Sequence, residues 1–280
     1  ILEKVELIDG IAIHRPSGKK ISACVPMHTF GFPCRIDEIE QICLEFNIPL
    51  LEDAAESLGS HFNGRHTGTF GKVGTLSFNG NKTITTGEGG MVVTRDPKLA
   101  KRARVMRLHG INRDAFDRFT SKAPSWYYEI VAPGFKYNMT DIAASMGIHQ
   151  LKKANAFQKK RAHIAALYDE ALTGLPIIRP PHAAPGDVHS WHLYVTQLSS
   201  DAYVLRDVFI ERLFEQGIGC SVHYIPLHLQ PYWRDTYKLT PEMFPVSQRI
   251  YERTVSLPLY TRMTEDDVTR VVAAVKVALG

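Results

Sequence analysis

The sequence predicts an α/β fold, with a large domain built on a largely parallel sheet followed by a smaller α+β domain. In the first half, short apolar runs alternate with segments of helical spacing, which is typical of strands covered by helices. After a proline-rich crossing at residues 176–185, the pattern changes to a smaller set of elements. The 280 residues are enough for one large or two modest domains.

Each element of the first half has its own sequence signal. Apolar runs predict strands at residues 21–25, 48–51, 74–78 and 91–94. Apolar side chains at helical spacing predict a helix over residues 35–46. Asn63-Gly64 indicates a β-hairpin, and Asp96-Pro97 has the residue types that begin a helix.

A long helix leads into the second half of the chain. It begins at Asp141, and Gly174 and Pro176 end it. Beyond it, the patterns predict strands at 191–197 and 219–224 and helices at 204–216 and from 264 onward. We therefore expect a large α/β domain over residues 1–152 and a small C-terminal α+β domain over residues 153–280.

Composition and charge exclude several classes of protein. Lysine plus arginine total 33 and aspartate plus glutamate 29, and this net charge of +4 is too weak and scattered for nucleic-acid binding. No apolar run has the length of a bilayer span, and no secretory start is present, so we expect no membrane association. The four cysteines form neither a CxxC pair nor a zinc spacing, which favours reduced thiols in a cytoplasmic protein without a metal.

The stretch from Asp53 to Gly90 holds the residues that could carry chemistry. A phosphate-binding P-loop is excluded, because Asn81 separates Gly80 from Lys82 and a strand-like run follows. A lysine on a turn between strands can instead form a Schiff base with an aldehyde cofactor such as pyridoxal phosphate. That cofactor needs a carboxylate at its ring nitrogen, and Asp53 lies at a strand end, where such sheets bind ligands. The residues alone leave open a second interpretation, in which Lys82 is a solvated surface side chain.

Several motifs follow one another along the chain. They are Glu52-Asp-Ala-Ala-Glu56, Gly68-Thr-Phe-Gly71, Ser77-Phe-Asn-Gly-Asn-Lys-Thr-Ile-Thr-Thr-Gly-Glu-Gly-Gly-Met91, His109-Gly110, Pro133-Gly-Phe-Lys-Tyr-Asn138, Trp191-His-Leu-Tyr194 and Ser221-Val-His-Tyr-Ile-Pro-Leu-His228. Each motif is weak alone, but the ordered set resembles the DegT/DnrJ/StrS family of nucleotide-sugar aminotransferases over essentially the whole chain. The resemblance implies a fold-type-I transferase, similar to aspartate aminotransferase, with pyridoxal 5′-phosphate as its cofactor.

The resemblance also implies roles for individual residues at the cofactor. Lys82 would be the Schiff-base lysine and Asp53 would pair with the pyridine nitrogen, so that both are catalytic. Glu56 would lie near the ring hydroxyl, and Ser77 would bind the cofactor phosphate. Asn138 would reach the phosphate of the neighbouring subunit's cofactor, which makes a homodimer with a shared active site the expected assembly.

The implied substrates are an amino-acid donor, L-glutamate, and a nucleotide-linked keto-sugar. A UDP- or other NDP-4-keto-6-deoxyhexose would be aminated for surface polysaccharide or glycan biosynthesis. Substrate contacts are implied at Asn79, Tyr137 and His223. The irregular, aromatic-rich stretch at residues 111–138 is where we expect a subunit interface, a cover over the substrate, or both.

The beginning of the chain departs from the family pattern. Family members begin with a Gly-Ser/Thr-x-Ala segment that grips the cofactor phosphate and usually carry an aromatic residue that stacks on the ring, and neither is present here. We therefore expect an N-terminally truncated chain. This expectation adds an alternative function, a catalytically impaired remnant that folds or dimerises without turnover. Lys82 is present where related dehydratases have histidine, which favours transamination.

Overall fold

The structure, a computed structural model, describes residues 2–112 and 127–280. The part of the aromatic-rich stretch between these two ranges, with Phe116, Phe119 and Trp126, lies outside the described residues. The chain divides into two compact units. The first contains the residues up to Asn155 with Pro185–Val188, and the second contains Ala156–Ala184 with His189–Gly280.

The first unit alternates strands and helices. Its strands are β1 (Val5–Ile8), β2 (Ile11–His14), β3 (Lys19–Lys20), β4 (Leu51–Asp53), β5 (His61–Phe62), β6 (Arg65–His66), β7 (Val73–Ser77) and β8 (Gly90–Val93). Its helices are α1 (Ile36–Glu45), α2 (Pro97–Met106) and the beginning of α3 (Asp141–Ala171), which continues into the second unit. The Asp96 carboxylate caps α2 by accepting hydrogen bonds from the N–H groups of Lys98 and Leu99, which confirms the predicted helix start.

The sheet that carries the candidate site has the strand order β4-β7-β8. β4 and β7 are parallel, as expected of a largely parallel sheet, whereas β8 pairs with β7 in the antiparallel sense. The strand predicted over residues 21–25 is reduced to isolated parallel bridges at Cys24 and Met27 beside β4. Pro26 between them has no N–H to donate, which interrupts the ladder at this point.

Two further sheets of the first unit are antiparallel. β1, β2 and β3 form a meander that the sequence patterns did not predict. β5 and β6 form the predicted hairpin, in which Asn63 and Gly64 have φ angles of 48° and 74°, as the tight hairpin turn requires. Buried side chains from α1 and the neighbouring strands form a small apolar core that consists of Ile36, Cys43, Leu50 and Phe62.

The second unit is an antiparallel sheet covered by helices. Its strands are β9 (Ile177–Ile178), β10 (Tyr194–Leu198) and β11 (Thr254–Leu257), in the order β11-β10-β9, and its further helices are α4 (Arg206–Glu215), α5 (Pro231–Tyr237), α6 (Pro245–Tyr251) and α7 (Glu265–Leu279). The core consists of fully buried side chains that include Ile164, Tyr168, Phe209, Leu213, Val255 and Val275. In the described ranges, no helix combines the length and apolar composition that a bilayer crossing requires.

The strand predicted over residues 219–224 is wrong. Within this segment only Ser221 joins the sheet, through a pair of backbone hydrogen bonds with Ser256 of β11. The local β-propensity is outweighed by tertiary context, which is common for short apolar segments. β11 itself, which supplies the partner for Ser221, was not predicted.

Arg161 of α3 is a buried cation whose hydrogen-bond partners within residues 2–112 and 127–280 are backbone carbonyls. Its Nη1 donates to the carbonyl oxygens of Trp191 at 3.1 Å, His192 at 3.1 Å and Leu259 at 3.2 Å. Burial lowers the pKa of the Arg161 guanidinium, because the charged form loses solvation. The side chain therefore connects α3 to two separate loops of the second unit.

Replacement of Arg161 by Met is expected to reduce the free energy of unfolding by about 3 kcal/mol, because three carbonyl oxygens lose a charged donor. Urea denaturation of the variant measures the loss. The matched control is Lys159→Met, which changes an exposed cation on the same helix. An unfolding free energy equal to that of the control would show that Arg161 does not hold the loops.

Candidate active site

The candidate site is built on two neighbouring parallel strands that end at the same edge of the sheet. Asp53 is the last residue of β4 and lies opposite Thr75 of β7, and Ser77 is the last residue of β7. The loops that follow these strands carry Glu56 and Lys82. Carboxyl ends of parallel strands are where α/β sheets bind their ligands.

The two loops meet in an ion pair. Nζ of Lys82 lies 3.2 Å from Oε1 of Glu56, and the two side chains are 15% and 9% exposed. The other carboxylate oxygen of Glu56, Oε2, accepts a hydrogen bond of 2.8 Å from the backbone N–H of Phe30. The interpretation of Lys82 as a solvated surface side chain is therefore wrong, because the amine is largely buried against a fixed carboxylate.

Asp53 combines a fixed backbone with an accessible carboxylate. Its N–H donates to the Pro26 carbonyl at 2.9 Å, and its carbonyl accepts from the His28 N–H at 3.1 Å. Oδ1 accepts a hydrogen bond of 3.0 Å from the N–H of Ala55. Within residues 2–112 and 127–280, no hydrogen bond or ion pair engages Oδ2. The Oδ2 atom is thus available to accept a hydrogen bond from a protonated ligand atom.

Ser77 and Asn79 begin the loop that leads to Lys82. Oγ of Ser77 accepts a hydrogen bond of 3.3 Å from the Asn79 N–H, which leaves its hydroxyl hydrogen to donate. The Asn79 side chain is engaged at both ends, because Nδ2 donates to Glu88 at 2.7 Å and Oδ1 accepts from the Asn81 N–H at 3.4 Å. Nδ2 keeps a second N–H and Oδ1 a second lone pair for a substrate contact.

Tyr137 and Asn138 lie on an exposed segment of the first unit. The Tyr137 ring stacks on Phe135 at 4.9 Å between centroids and is 74% exposed. Oδ1 of Asn138 accepts a hydrogen bond of 2.6 Å from Lys136 Nζ. Among the residues that the structure describes, neither side chain forms a hydrogen bond with Asp53, Glu56, Ser77 or Lys82. The structure therefore pairs Lys82 with Glu56, whereas Tyr137 is exposed and Asn138 is partly buried beside Lys136.

His223 belongs to the second unit. Its Nδ1 lies 2.7 Å from the hydroxyl oxygen of Ser256. The residue lines an open, mainly apolar groove of about 990 Å³, whose other walls include Tyr224, Phe244 and Tyr251. The aromatic walls are suited to a ligand with flat or apolar surfaces.

One part of the site was missed by the sequence analysis. The Phe30 N–H fixes Glu56, yet a backbone donor has no side-chain signature. Phe30 has a positive φ of 58°, which is uncommon for an aromatic residue and marks a tightly constrained turn. The sequence signal that was available is the pair of glycine and proline residues that follow, Gly31 and Pro33, which indicate a turn.

Comparison with known proteins decides the family. The model of the DegT/DnrJ/EryC1/StrS aminotransferase family matches residues 6–276. The chain belongs to this family. Among its relatives, MJ1066 of Methanocaldococcus jannaschii is 46% identical over 259 residues, which are 92% of this chain and 67% of that protein. The spore coat polysaccharide biosynthesis protein SpsC of Bacillus subtilis is 38% identical over 271 residues, which are 96% of this chain and 69% of SpsC.

Solved structures of aminotransferases have the same fold. The putative sugar aminotransferase Spr1654 of Streptococcus pneumoniae, in its PMP form, aligns with a TM-score of 0.83 at 28% identity, over 92% of this chain and 69% of that one. The aminotransferase TlmJ of Streptoalloteichus hindustanus aligns with a TM-score of 0.81 at 33% identity, over 95% of this chain and 68% of TlmJ. The predicted fold class, a fold-type-I aminotransferase-like α/β protein, is confirmed.

Pyridoxal 5′-phosphate is the cofactor of this family, and Spr1654 is known in both PLP and PMP forms. The groups present in this chain fit the cofactor chemically. A largely buried amine at Lys82, an open carboxylate oxygen at Asp53 and a hydroxyl donor at Ser77 match its aldehyde, its basic ring nitrogen and its phosphate. Membership of the family confirms the predicted cofactor.

Proposed function

We propose that the protein transfers an amino group from L-glutamate to a nucleotide-linked keto-sugar, a UDP- or other NDP-4-keto-6-deoxyhexose, in surface polysaccharide biosynthesis. Membership of a sugar aminotransferase family supports the reaction type. The name of the relative SpsC, a spore coat polysaccharide biosynthesis protein, supports the biosynthetic context. The nucleotide and the donor rest on the family resemblance.

The observation that carries the proposal is the pairing of Lys82 with Glu56, on the loops that follow β7 and β4, the strand that ends at Asp53. A lysine that only served solubility would extend into solvent, whereas this amine is held by a buried carboxylate. A positioned amine next to an acceptor for a ring nitrogen is what transamination requires from the protein.

Each residue at the edge then has a task. When bound, pyridoxal phosphate supplies an electron sink for bond changes at the α-carbon of the amino donor. Lys82 would hold the cofactor through Nζ and, once released by the donor, would take the α-carbon proton as a general base and return it as an acid. Asp53 would hold the proton on the ring nitrogen, Glu56 would lie near the ring hydroxyl, and Ser77 would bind the phosphate.

The substrate contacts are proposed at Asn79, Tyr137 and His223. Of these, Tyr137 is exposed and His223 lines an aromatic groove, which suits contact with a sugar nucleotide. Asn79 would contact the substrate through the second hydrogen of Nδ2 while it keeps its hydrogen bond with Glu88.

Transfer of isotopic nitrogen tests the function. The protein is loaded with pyridoxal phosphate and incubated with ¹⁵N-glutamate and either a 4-keto or a 3-keto UDP- or TDP-linked 6-deoxyhexose, and products are analysed by mass spectrometry. The proposal predicts a ¹⁵N-amino sugar from the 4-keto substrate. Nitrogen transfer to simple 2-oxo acids alone would contradict the sugar substrate. A chain that never binds the cofactor would favour the non-catalytic alternative.

We also propose a homodimer in which Asn138 reaches the cofactor phosphate of the partner subunit. The first turns of α3 expose large apolar side chains, namely Ile142, Met146, Ile148 and Leu151. Soluble monomers rarely expose such a set on one short segment, and a second copy of the chain would cover it. Asn138 immediately precedes this surface in the sequence, which supports its proposed reach into a partner.

Replacement of Leu151 by Glu is expected to convert the dimer to a monomer, because a charge would enter an apolar interface. The matched control is Lys152→Glu, which introduces the same side chain at the adjacent exposed position. Size-exclusion chromatography with light scattering measures the mass of each variant. A dimeric L151E protein would contradict the assignment of this surface, and a monomeric unaltered protein would contradict the dimer.

A further inference from the structure

Beneath the candidate site lies a buried carboxylate that the proposed reaction does not use. Glu52 precedes Asp53 in β4, and successive side chains of a strand point to opposite faces of its sheet. Glu52 is 1% exposed. Its Oε1 accepts from the N–H groups of Phe70 at 2.6 Å and Gly71 at 2.7 Å, and its Oε2 accepts from the Gly68 N–H at 2.7 Å.

The fourth donor to this carboxylate is the fully buried His28. Its Nε2 lies 3.0 Å from Oε2 of Glu52, and its Nδ1 accepts a hydrogen bond of 3.2 Å from the Cys34 N–H. Because Nδ1 accepts, the ring hydrogen must be on Nε2, and the imidazole donates to Glu52 as a neutral group. The backbone N–H of His28 binds the Asp53 carbonyl.

The hydrogen bonds to Glu52 stabilise its carboxylate in the ionised form. Burial by itself would raise its pKa, yet the hydrogen bonds from His28, Gly71 and Gly68 outweigh burial and lower the pKa below its usual range. Four donors converge on two oxygens, which is the full complement that suits an ionised carboxylate. No neutral side chain of the same size can accept all four.

The bonds to Glu52 join the segments that carry the candidate site. The turn at 68–71 leads directly into β7 and so to Ser77 and Lys82. This turn lies tightly against the residue before β4, because a Cβ at Gly71 would be 2.5 Å from the Leu50 carbonyl oxygen. The His28 ring, which is bonded to Glu52, also fixes the segment 28–34, because its Nδ1 accepts a hydrogen bond from the Cys34 N–H.

The segment 28–34 contacts the ion pair between Glu56 and Lys82. It contains Phe30, whose N–H holds the Glu56 carboxylate, and that carboxylate holds Lys82. The hydrogen bond between Glu52 and His28 is therefore joined, through the backbone of residues 28–30, to the hydrogen bonds that link Phe30, Glu56 and the Lys82 amine. A second connection runs through the backbone of Asp53 itself.

We propose that Glu52 and His28 form a positioning pair, which sets the placement of the Asp53 carboxylate and the Lys82 amine relative to each other from below the sheet. The inference rests on the proposed function, since it assigns the pair a task only if Asp53 and Lys82 hold the cofactor. A purely structural pair would change the stability of the fold and leave the cofactor environment of the folded protein unaltered.

Glu52→Gln tests the proposal, because it keeps the size of the side chain and removes the charge. In either orientation of the amide, its NH₂ group would face two N–H donors, so the 68–71 turn or His28 must shift. For the folded, cofactor-loaded variant we expect a changed circular dichroism signal in the visible cofactor band. We also expect kcat to fall by about 10²-fold with little change in KM, because small misplacements of reacting groups cost this much.

A second pair of variants covers the possibility that E52Q does not fold. His28→Gln keeps a donor that can reach Glu52, whereas His28→Leu removes it. The proposal predicts a cofactor signal closer to that of the unaltered protein for H28Q than for H28L. Glu45→Gln, at an exposed position of α1, is the matched control for removal of a carboxylate and should leave the signal and kcat unaltered.

The outcomes separate this inference from the proposed function. If the unaltered chain forms no visible cofactor band, the proposed function fails and the inference fails with it. A different result would overturn the positioning role alone. In that case the unaltered chain forms the band, and E52Q, or H28L in its place, has the same dichroism and the same kcat but a reduced thermal stability.

Discussion

Replacement of Lys82 by Ala is expected to abolish the visible absorbance of bound pyridoxal phosphate and to reduce kcat/KM by about 10³-fold or more, since general acid–base catalysis alone contributes about 10²–10⁴-fold. The amine is 15% exposed and lies 3.2 Å from Glu56, so its loss also leaves a buried carboxylate without its cation. Absorbance after gel filtration measures cofactor retention, and the ¹⁵N assay measures turnover.

Lys72 provides the matched control for this experiment. It is an exposed lysine just before β7, on the connection from β4, whereas Lys82 lies in the loop after β7. Lys72→Ala should retain the absorbance band and the turnover of the unaltered protein. The opposite result would be a cofactor absorbance band that borohydride removes in K82A and that is missing in K72A. That result would show that another amine holds the cofactor.

Replacement of Asp53 by Asn is expected to reduce kcat by about 10²-fold or more while the protein still binds the cofactor, since loss of one electrostatic group at a reacting centre costs this much. The carboxamide keeps the size of the side chain and the hydrogen bond from Ala55, but it cannot hold a positive charge on the ring nitrogen. Single-turnover kinetics with glutamate measure the change at the step in which the α-carbon proton is removed.

Asp9→Asn is the matched control for this substitution. Asp9 is exposed in the turn between β1 and β2 and has a φ of 50°, a conformation that asparagine also adopts readily. The control should turn over like the unaltered protein. A D53N variant with the same single-turnover rate as the control would show that the ring nitrogen is held elsewhere.

The elements with strong local signals were predictable from the sequence. The helix starts at Asp96 and Thr264 have caps whose hydrogen bonds are present in the structure, because a cap depends on residues three positions apart. The failure at residues 219–224 has the opposite cause. Whether that segment joins a sheet is decided by Ser256, which is distant in sequence and belongs to a strand that carries no strong signal of its own.

The candidate site was predictable in its residue types and not in its connections. Asp53 could be placed at a strand end from the apolar run before it, and Lys82 on a turn from the asparagine and glycine residues around it. The ion pair with Glu56 and the support from His28 could not be predicted, since both depend on the backbone of segment 28–34. Contacts of this kind arise from tertiary packing and have no periodic pattern in the sequence.

Reduction of the cofactor-loaded protein with borohydride, followed by peptide mass spectrometry, tests the central claim most directly. The reagent fixes the cofactor to whichever amine holds it, so the modified peptide identifies the residue. The account predicts modification of the peptide that contains Lys82, at one cofactor per chain, and of no other lysine in significant amount. A phosphopyridoxyl group on a different lysine, or one spread over many surface lysines, would contradict it.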